Sequence, residues 1–450
     1  MLARASRKSE AHVALTSDDH ALRVPARRLK NERGMHRLFA SLLFASLAAC
    51  SSEATEPPMI KSDLARDTTP DVTDADLDAL VAGNTDFAAD MYRLASGEDG
   101  NLFMSPHSVT TALAMTYAGA ANNTATQIAD VFHFTQTPAT LHASLNALDL
   151  ALASRADSGQ SDTIPFRLRT ANSIWGQDGF DVLDPFLDTL ALNYGAGMHV
   201  LDFEGDTEGS RQTINGWVED QTNDKIQELL PQGVIQPSTK LVLTNAIYFS
   251  AAWAEPFEAS DTQDRPFQVA GAPVQVPTLY QTADMNYGEG DGWKAVEIPY
   301  DGNELSMTVV VPDDLSAFEQ QLTGATFTAI GDAVTHHSVQ LYLPKFEFSS
   351  PLALQPILAE LGMTDAFDDA RADFSGIDGK RDLVITDVLH KGFVGIDENG
   401  TEAAAATAVV IGPTSIPEQA TMVVDRPFFF FIKDRPTGAI LFVGRVRDPR

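Results

Sequence analysis

Few residues of this 450-residue chain stand in patterns that could catalyse a reaction or bind a metal. The sequence has no His-Glu-x-x-His zinc motif, no Gly-x-Ser-x-Gly nucleophile motif and no glycine-rich phosphate loop. His336 and His337 could contact a metal ion, but adjacent histidines in a strand or turn are the commoner case. Asp74, Asp76 and Asp78 lack the glycine and distal glutamate of a calcium loop, and indicate a helix start rich in carboxylates. We therefore expect no catalytic residues, no metal and no cofactor, and the chain is not predicted to be an enzyme.

The one cysteine, Cys50, excludes an intrachain disulfide and a multi-cysteine zinc site. Before it, basic Arg37 precedes 11 mostly apolar residues, Leu38 to Ala48. This run is shorter than the roughly 20 residues that cross a bilayer, and it is typical of an export signal. The letters LAAC, ending at Cys50, resemble the bacterial lipoprotein signal, in which the cysteine is lipidated and becomes the mature N-terminus. We expect an exported, membrane-anchored lipoprotein at the periplasmic face or cell surface; an unlipidated extracellular protein is the alternative.

Composition divides the chain into three parts. Residues 1–49 form an N-terminal extension and the signal, with Met35 as a candidate start. Their removal takes away nine of 31 Lys and Arg and four of 62 Asp and Glu, leaving a formal charge of −36. That charge argues against a nucleic-acid partner, because phosphate binding needs clustered cations. Residues 50–73 are polar and proline-containing, and predict a lipid-anchored tether with a root-mean-square reach of roughly 27 Å. Residues 74–450 show no second linker and predict one large domain.

Helical patterns fill the first third of that domain and strand patterns dominate later, which predicts an α+β fold. Ser105 followed by Pro106 is an N-cap and first-turn signature, and the helix that follows carries almost no charge, so it should be buried. The predicted helices are Asp76 to Ala95 and Ser105 to Ala120; the predicted strands are Leu241 to Phe249, Glu304 to Pro312 and Leu383 to Asp397, with a hairpin in Arg426 to Val446 that turns at residues 436–438.

One segment between predicted strands, ENGTEAAAATAVVIGPTSIPEQ (residues 398–419), has no clear local preference. Alanines favour a short helix with Thr401 as its N-cap, whereas Val409, Val410 and Ile411 favour a strand. As a strand, the segment would place Thr401 and the small or β-branched side chains that alternate with it on one uncharged face. Such a face could enter a sheet without burying an unpaired charge, which would cost several kcal/mol.

This segment resembles the hinge and reactive-centre loop of the serpins, whose pattern is Glu-x-Gly-Thr-x followed by four small residues. The matching residues are Glu398, Gly400, Thr401, Ala403, Ala404, Ala405 and Ala406. Four further stretches resemble family segments in family order: NLFMSPHSV from Asn101, TNAIYFSAAW from Thr244, VVDRPFFFFIK from Val423 and FVGRV from Phe442. The resemblance covers nearly all of residues 74–450. It implies helices plus large mixed and antiparallel sheets, with an exposed reactive-centre loop at about 398–424.

The resemblance also implies roles for particular residues. Ser105, Ser108, Asn245 and His390 fall on the polar cluster that holds the two central strands together until they part, and Trp253 falls near the point where the loop first enters the sheet. Counting 16 residues on from Glu398 places the scissile bond between Thr414 and Ser415, with Ile411 and Ile416 as alternatives for the residue before the bond.

The implied function is inhibition of serine proteases by a suicide mechanism, in which the cleaved loop inserts as a new central strand while the protease is still bound as an ester. No Lys or Arg occurs between Lys391 and Arg426, and no large aromatic residue between Glu398 and Asp425. The expected targets are therefore elastase-like or subtilisin-like rather than trypsin-like proteases. The alternatives are a non-inhibitory serpin-fold binding or chaperone-like protein and, in another class, a lipid-anchored hydrolase.

Overall fold

The computed structural model describes residues 56–157, 166–401 and 418–450. The helices in these ranges are α1 (Asp74–Ala95), α2 (Pro106–Tyr117), α3 (Asn122–Val131), α4 (Pro138–Ser154), α5 (Asp184–Tyr194), α6 (Thr207–Gln221), α7 (Leu315–Gln320), α8 (Gly324–Ala333), α9 (Leu354–Leu361) and α10 (Ser375–Asp378). The strands are β1 (Met59–Ile60), β2 (Leu102–Met104), β3 (Arg167–Gln177), β4 (Met198–Leu201), β5 (Leu241–Ala252), β6 (Gln263–Gln268), β7 (Pro273–Gly290), β8 (Trp293–Pro299), β9 (Leu305–Pro312), β10 (Thr335–Pro344), β11 (Phe346–Ala353), β12 (Ile385–Ile396), β13 (Gly400–Thr401), β14 (Gln419–Val423), β15 (Phe428–Asp434) and β16 (Ile440–Val446).

Local sequence signals account for where the first helices begin. At the start of α1, Thr73 and Asp76 form a capping box, in which the Thr73 hydroxyl accepts from the Asp76 N–H and the Asp76 carboxylate accepts from the Thr73 N–H. At the start of α2, the Ser105 hydroxyl accepts a hydrogen bond from the Ser108 N–H, and Pro106 occupies the first turn. The burial of α2 on nearly all sides confirms the prediction made from its lack of charge.

The strands form two sheets. The seven-stranded sheet has the order β1-β4-β3-β5-β13-β12-β11, and β5 also pairs directly with β12. The nine-stranded sheet has the order β14-β10-β7-β8-β9-β15-β16-β2, with β6 beside β7. All residues of β5, β9 and β16 are buried. For β5 and β9 this burial confirms the prediction made from apolar sequences with few polar breaks. The antiparallel pairing of β15 with β16 confirms the predicted hairpin.

The sequence analysis did not predict three strands in the first half of the domain: the short β2, and β3 and β4. Strand β3 joins α4 to α5, and β4 joins α5 to α6. The sequence of β3, RLRTANSIWGQ, mixes charged, small and aromatic residues, because one end of the strand is exposed and the other end lies in the core. Neither alternation nor a continuous apolar run therefore marks it as a strand.

The predicted tether, residues 50–73, is wrong for its described part, residues 56–73. Strand β1 adds to the edge of the sheet, with Met59 opposite His199. Arg66 donates to the Asn146 side chain (2.8 Å) and pairs with Asp149 (2.6 Å). Prolines tolerate an edge position because their missing N–H faces away from the ladder, so this segment could pack despite its composition. Residues Thr55–Arg450 form one compact unit.

Cys50 and residues 1–49 lie outside the described residues, so the export signal and the lipid attachment stay predictions. Within the described ranges, no helix is long and apolar enough to cross a membrane.

Candidate functional site

The centre of the seven-stranded sheet carries a buried polar cluster. Asn172 of β3, Asn245 of β5 and His390 of β12 lie opposite one another in register, because Asn245 is the partner of both other residues. Ser105 and Ser108, at the start of α2, contact this row through hydrogen bonds. Of these five residues, all but Asn172 are fully buried. We call these five residues the central cluster. The structure thus brings together the four polar residues singled out in the sequence, while their role in strand separation stays a prediction.

Hydrogen bonds link every member of the central cluster. Asn245 Nδ2 donates to Ser108 Oγ (2.8 Å) and to Asn172 Oδ1 (2.7 Å), and Ser108 Oγ donates to Asn172 Oδ1 (3.0 Å). Ser105 Oγ donates to the carbonyl of Leu441 (2.7 Å), which connects the cluster to β16. The network includes Asn172, which the sequence reasoning missed. The sequence could have revealed Asn172 only if β3 had been predicted and aligned with β5, because Asn172 then falls opposite Asn245.

His390 is held in one neutral tautomer. Its Nε2 accepts from the Ser105 N–H (3.1 Å), so the proton sits on Nδ1 and is donated to Asn245 Oδ1. Burial in the sheet lowers the pKa of His390 to about 4. At neutral pH the contact between β5 and β12 is therefore a hydrogen bond between uncharged groups, which can break without exposing a buried charge.

At the other end of β5, the chain turns back into the sheet. Gly400 and Thr401 form β13, which pairs antiparallel with Ala252 and Ala251 of β5 and with Ile396 of β12. Strands β5 and β12 pair directly only as far as Tyr248 and Phe393, so β13 occupies the point where they diverge. A Cβ at position 400 would overlap the carbonyl oxygen of Ala251, which explains the glycine. Residues 400–401 of the hinge thus already pair with both central strands.

The side chains of the hinge are anchored. Thr401 is 1% exposed, and its hydroxyl lies 2.7 Å from the Tyr300 hydroxyl. Burial alone would raise the pKa of the Glu398 carboxyl, but hydrogen bonds from Lys345 (2.6 Å) and Thr262 (2.8 Å) outweigh it and hold that pKa below its usual value. Glu398 is therefore ionised and paired in the native hinge.

Trp253 supports the hinge from the end of β5. Its indole N–H donates to the carbonyl of Asp397 (3.0 Å), and its backbone N–H donates to the carbonyl of Asn399 (2.8 Å). The indole stacks on Tyr300 at a ring separation of 4.7 Å, and Tyr300 in turn contacts Thr401. The structure therefore places Trp253 beside the point where β13 enters the sheet.

The structure does not describe all of the predicted site residues. Residues 402–417 lie outside the described residues, and with them Ala403, Ala404, Ala405, Ala406, Thr414 and Ser415. His336 and His337 lie on β10, as the strand interpretation predicted. In the described part of the chain, no group of three or more His, Cys, Asp or Glu side chains could hold a metal ion.

These features define a class of protein in which a short hinge strand pairs with two central strands where they diverge, and a buried polar cluster joins the same two strands. The family model Serpin (serine protease inhibitor) matches residues 82–449. An uncharacterized serpin-like protein of Thermococcus kodakarensis is 37% identical over 376 residues, covering 82% of this chain and 86% of that protein. The leukocyte elastase inhibitor of Homo sapiens is 36% identical over 387 residues, covering 83% of this chain and all of that protein. The chain belongs to the serpin family.

Solved structures agree with this assignment. The thermophilic serpin tengpin in its native state superposes with a TM-score of 0.76 at 29% identity, covering 86% of this chain and 97% of that chain. Uncleaved ovalbumin superposes with a TM-score of 0.73 at 27% identity, covering 82% of this chain and all of that chain. The predicted serpin fold is confirmed.

Proposed function

We propose that this protein inhibits serine proteases as a suicide substrate, by inserting its cleaved reactive-centre loop between β5 and β12. The observation that carries the proposal is the position of β13, which is hydrogen-bonded to both strands at their point of divergence. A loop that continues from Thr401 needs only to extend this pairing toward the central cluster. Some 14 residues at about 3.3 Å each would carry the bound protease roughly 46 Å along the sheet.

The proposed targets are elastase-like or subtilisin-like proteases. The loop between Lys391 and Arg426 offers no cation to a trypsin-like specificity pocket, and its small and β-branched residues suit a shallow pocket. One relative carries the name leukocyte elastase inhibitor, which agrees with this specificity. We place the scissile bond between Thr414 and Ser415.

Denaturing gels and mass spectrometry of reaction mixtures test both parts of this proposal. The mature domain is mixed with an elastase-like, a subtilisin-like and a trypsin-like protease, each also tested with its catalytic serine blocked. We expect a denaturant-resistant complex with one of the first two active proteases and a released peptide that begins at Ser415. A peptide with another first residue would move the scissile bond. Cleavage by the whole panel without any complex would contradict inhibition and favour a non-inhibitory binding or chaperone-like protein.

We further propose that the protein is exported and lipidated at Cys50. The support is the basic start, the short apolar run and the small residues that precede the single cysteine. Mass spectrometry of the N-terminal peptide from the membrane fraction should detect an acylated Cys50, and Cys50→Ala should move the protein into the soluble fraction. An unmodified peptide that retains residues before Cys50 would contradict lipidation.

A further inference from the structure

In the part of the chain that the structure describes, most exposed large apolar side chains lie along one edge. Among the described residues, five such side chains are between 36% and 47% exposed: Met59, Leu64, Leu183, Leu192 and Val423. The first two lie in the N-terminal segment that adds β1 to the sheet, and the next two lie at the start and near the end of α5. Val423 lies apart, on β14 of the other sheet. Leu183 also lies apart, because it comes nine residues before Leu192 and therefore falls on the opposite side of α5. We call the edge formed by Met59, Leu64 and Leu192 the β1–α5 surface.

Hydrogen bonds hold the two parts of this surface side by side. The Asp67 N–H donates to the carbonyl of Leu192 (2.9 Å), and the Ser62 hydroxyl donates to the Asp188 carboxylate (2.5 Å). The Leu64 N–H donates back to the Ser62 hydroxyl (3.2 Å), so Leu64 lies beside the middle of α5. An 11-residue helix is about 16 Å long, which sets the scale of the surface.

The length of chain before this segment limits how far the domain can move from a lipid at Cys50. Glu56 is the first described residue, and six residues span at most about 20 Å when fully extended. A domain of this size has a radius of gyration of about 21 Å, so its far side lies well beyond that reach. Because residues 56–67 are fixed to the sheet edge and to α4 and α5, a lipidated Cys50 would keep this edge nearest the bilayer.

We propose that the β1–α5 surface is the face with which the domain rests on the bilayer that holds its own lipid anchor. The inference depends on the lipidation proposed above and not on protease inhibition. Residues 56–67 and α5 together hold five acidic side chains and only two basic ones, Lys61 and Arg66, which favours zwitterionic over anionic headgroups. Three partly exposed side chains bury too little area to hold the domain alone, so contact requires the anchor.

This orientation sets the position of the hinge. Met59 lies at the level of Val242, through the pairs Met59–His199, His199–Trp175 and Trp175–Val242. Gly400 pairs with Ala252, ten residues farther along β5, which is about 33 Å. The hinge therefore lies at the opposite end of the sheet from Met59, so contact with the bilayer through the β1–α5 surface does not cover it.

Footprinting with hydroxyl radicals tests the orientation without relying on natural lipidation. Because Cys50 is the single cysteine, the mature chain can be coupled through its thiol to a maleimide lipid in phosphatidylcholine vesicles. The reference is the same chain capped with N-ethylmaleimide and mixed with vesicles that lack maleimide. We expect oxidation of Met59, Leu64 and Leu192 to fall several-fold on coupling, while oxidation of Val423 stays unchanged. Equal oxidation in both samples, or protection of Val423 instead, would overturn the proposal.

A variant pair separates contact with the bilayer from simple crowding. The double variant Leu64→Asp/Leu192→Asp should lose most of the protection at Met59, whereas Val423→Asp should keep it. Retained protection in the double variant would refute contact through this surface. An unacylated Cys50 in the natural protein would also overturn the proposal, yet would leave trapping of a protease by the soluble domain intact, so the two failures are distinguishable.

Discussion

His390 joins β12 to β5 through its neutral tautomer, and this chemistry makes the central cluster sensitive to acid. The ordinary pKa of histidine is about 6.5, and burial lowers that of His390 to about 4. The unfolded chain therefore binds a proton between these values that the folded chain does not. The stabilising contribution is complete above pH 6.5 and is lost as the pH falls toward 4, with a total of about 3 kcal/mol.

We expect His390→Gln to remove this pH dependence, because the amide can still accept from Ser105 and donate to Asn245 but does not titrate. Urea midpoints at several pH values between 8 and 4, followed by tryptophan fluorescence, measure the effect. The wild-type midpoint should fall more steeply below pH 6.5 than that of the variant. Carboxylates and His142 titrate in both proteins, so the difference isolates His390. Parallel curves would contradict a buried neutral imidazole.

Gly400 permits the close approach of the hinge to β5. A Cβ there would overlap the Ala251 carbonyl oxygen and lie 2.8 Å from Ala252 Cα, so Gly400→Ala should push β13 out of the sheet at a cost of about 1–3 kcal/mol. Gly216 is the matched control, because it lies within α6 with nothing near its position for a Cβ. Gly216→Ala should stabilise the protein by about 0.5–1 kcal/mol. Thermal midpoints that rise for both variants would refute the tight fit.

At the scale of elements, β13 is the beginning of a strand that the rest of the loop can complete. Thr401 is its last described residue, and its side chain points into the core against Tyr300. The next inward positions are predicted to be Ala403 and Ala405, which are smaller than Thr401. In the proposed insertion, the first residues of the loop would therefore bring no bulky side chain into the sheet.

Thr401→Arg should convert the protein from inhibitor to substrate. A buried guanidinium without a partner costs several kcal/mol, which would delay insertion until hydrolysis of the ester is complete. The stoichiometry of inhibition, measured by titrating a susceptible protease, should rise on the order of tenfold or more. Thr401→Ser keeps the hydroxyl near Tyr300 and should inhibit normally. Covalent trapping by the arginine variant at wild-type stoichiometry would contradict insertion through this position.

A helix or strand could be predicted where its own residues carried a pattern of hydrophobicity or helix capping. Strands β5 and β9 are buried on both faces and read as apolar runs, and Ser105-Pro106 encodes the start of α2 locally. The sheet edge formed by residues 56–67 could not be predicted, because its pairing with β4 is decided by a distant strand and not by its own residues. Asn172 was missed for the same reason, since only register with Asn245 reveals it.

At the scale of the whole molecule, the two central strands of the native sheet pair directly over only part of their length. Strands β5 and β12 pair directly over Leu241–Tyr248 and Ile385–Phe393, and that pairing, together with the bond from His390 to Asn245, must break for a full-length strand to enter. Each inserted residue then forms new backbone hydrogen bonds, worth about 1 kcal/mol each. The form with the inserted loop should therefore be more stable than the native form. We expect the intact protein not to reach the inserted form, because the uncut loop is still joined to β14.

Cleavage of the loop by a protease that is not trapped should release this stability. Summed over some 14 residues, the new bonds should raise the thermal midpoint on the order of 10 °C, even though one peptide bond has been cut. Circular dichroism during heating of intact and cleaved protein measures the difference, with mass spectrometry confirming a single cut within residues 402–417. Cleaved Thr401→Arg serves as the control and should gain much less. A cleaved wild-type protein that melts at or below the temperature of the intact form would show that the loop does not enter the sheet, and would exclude the proposed mechanism of inhibition.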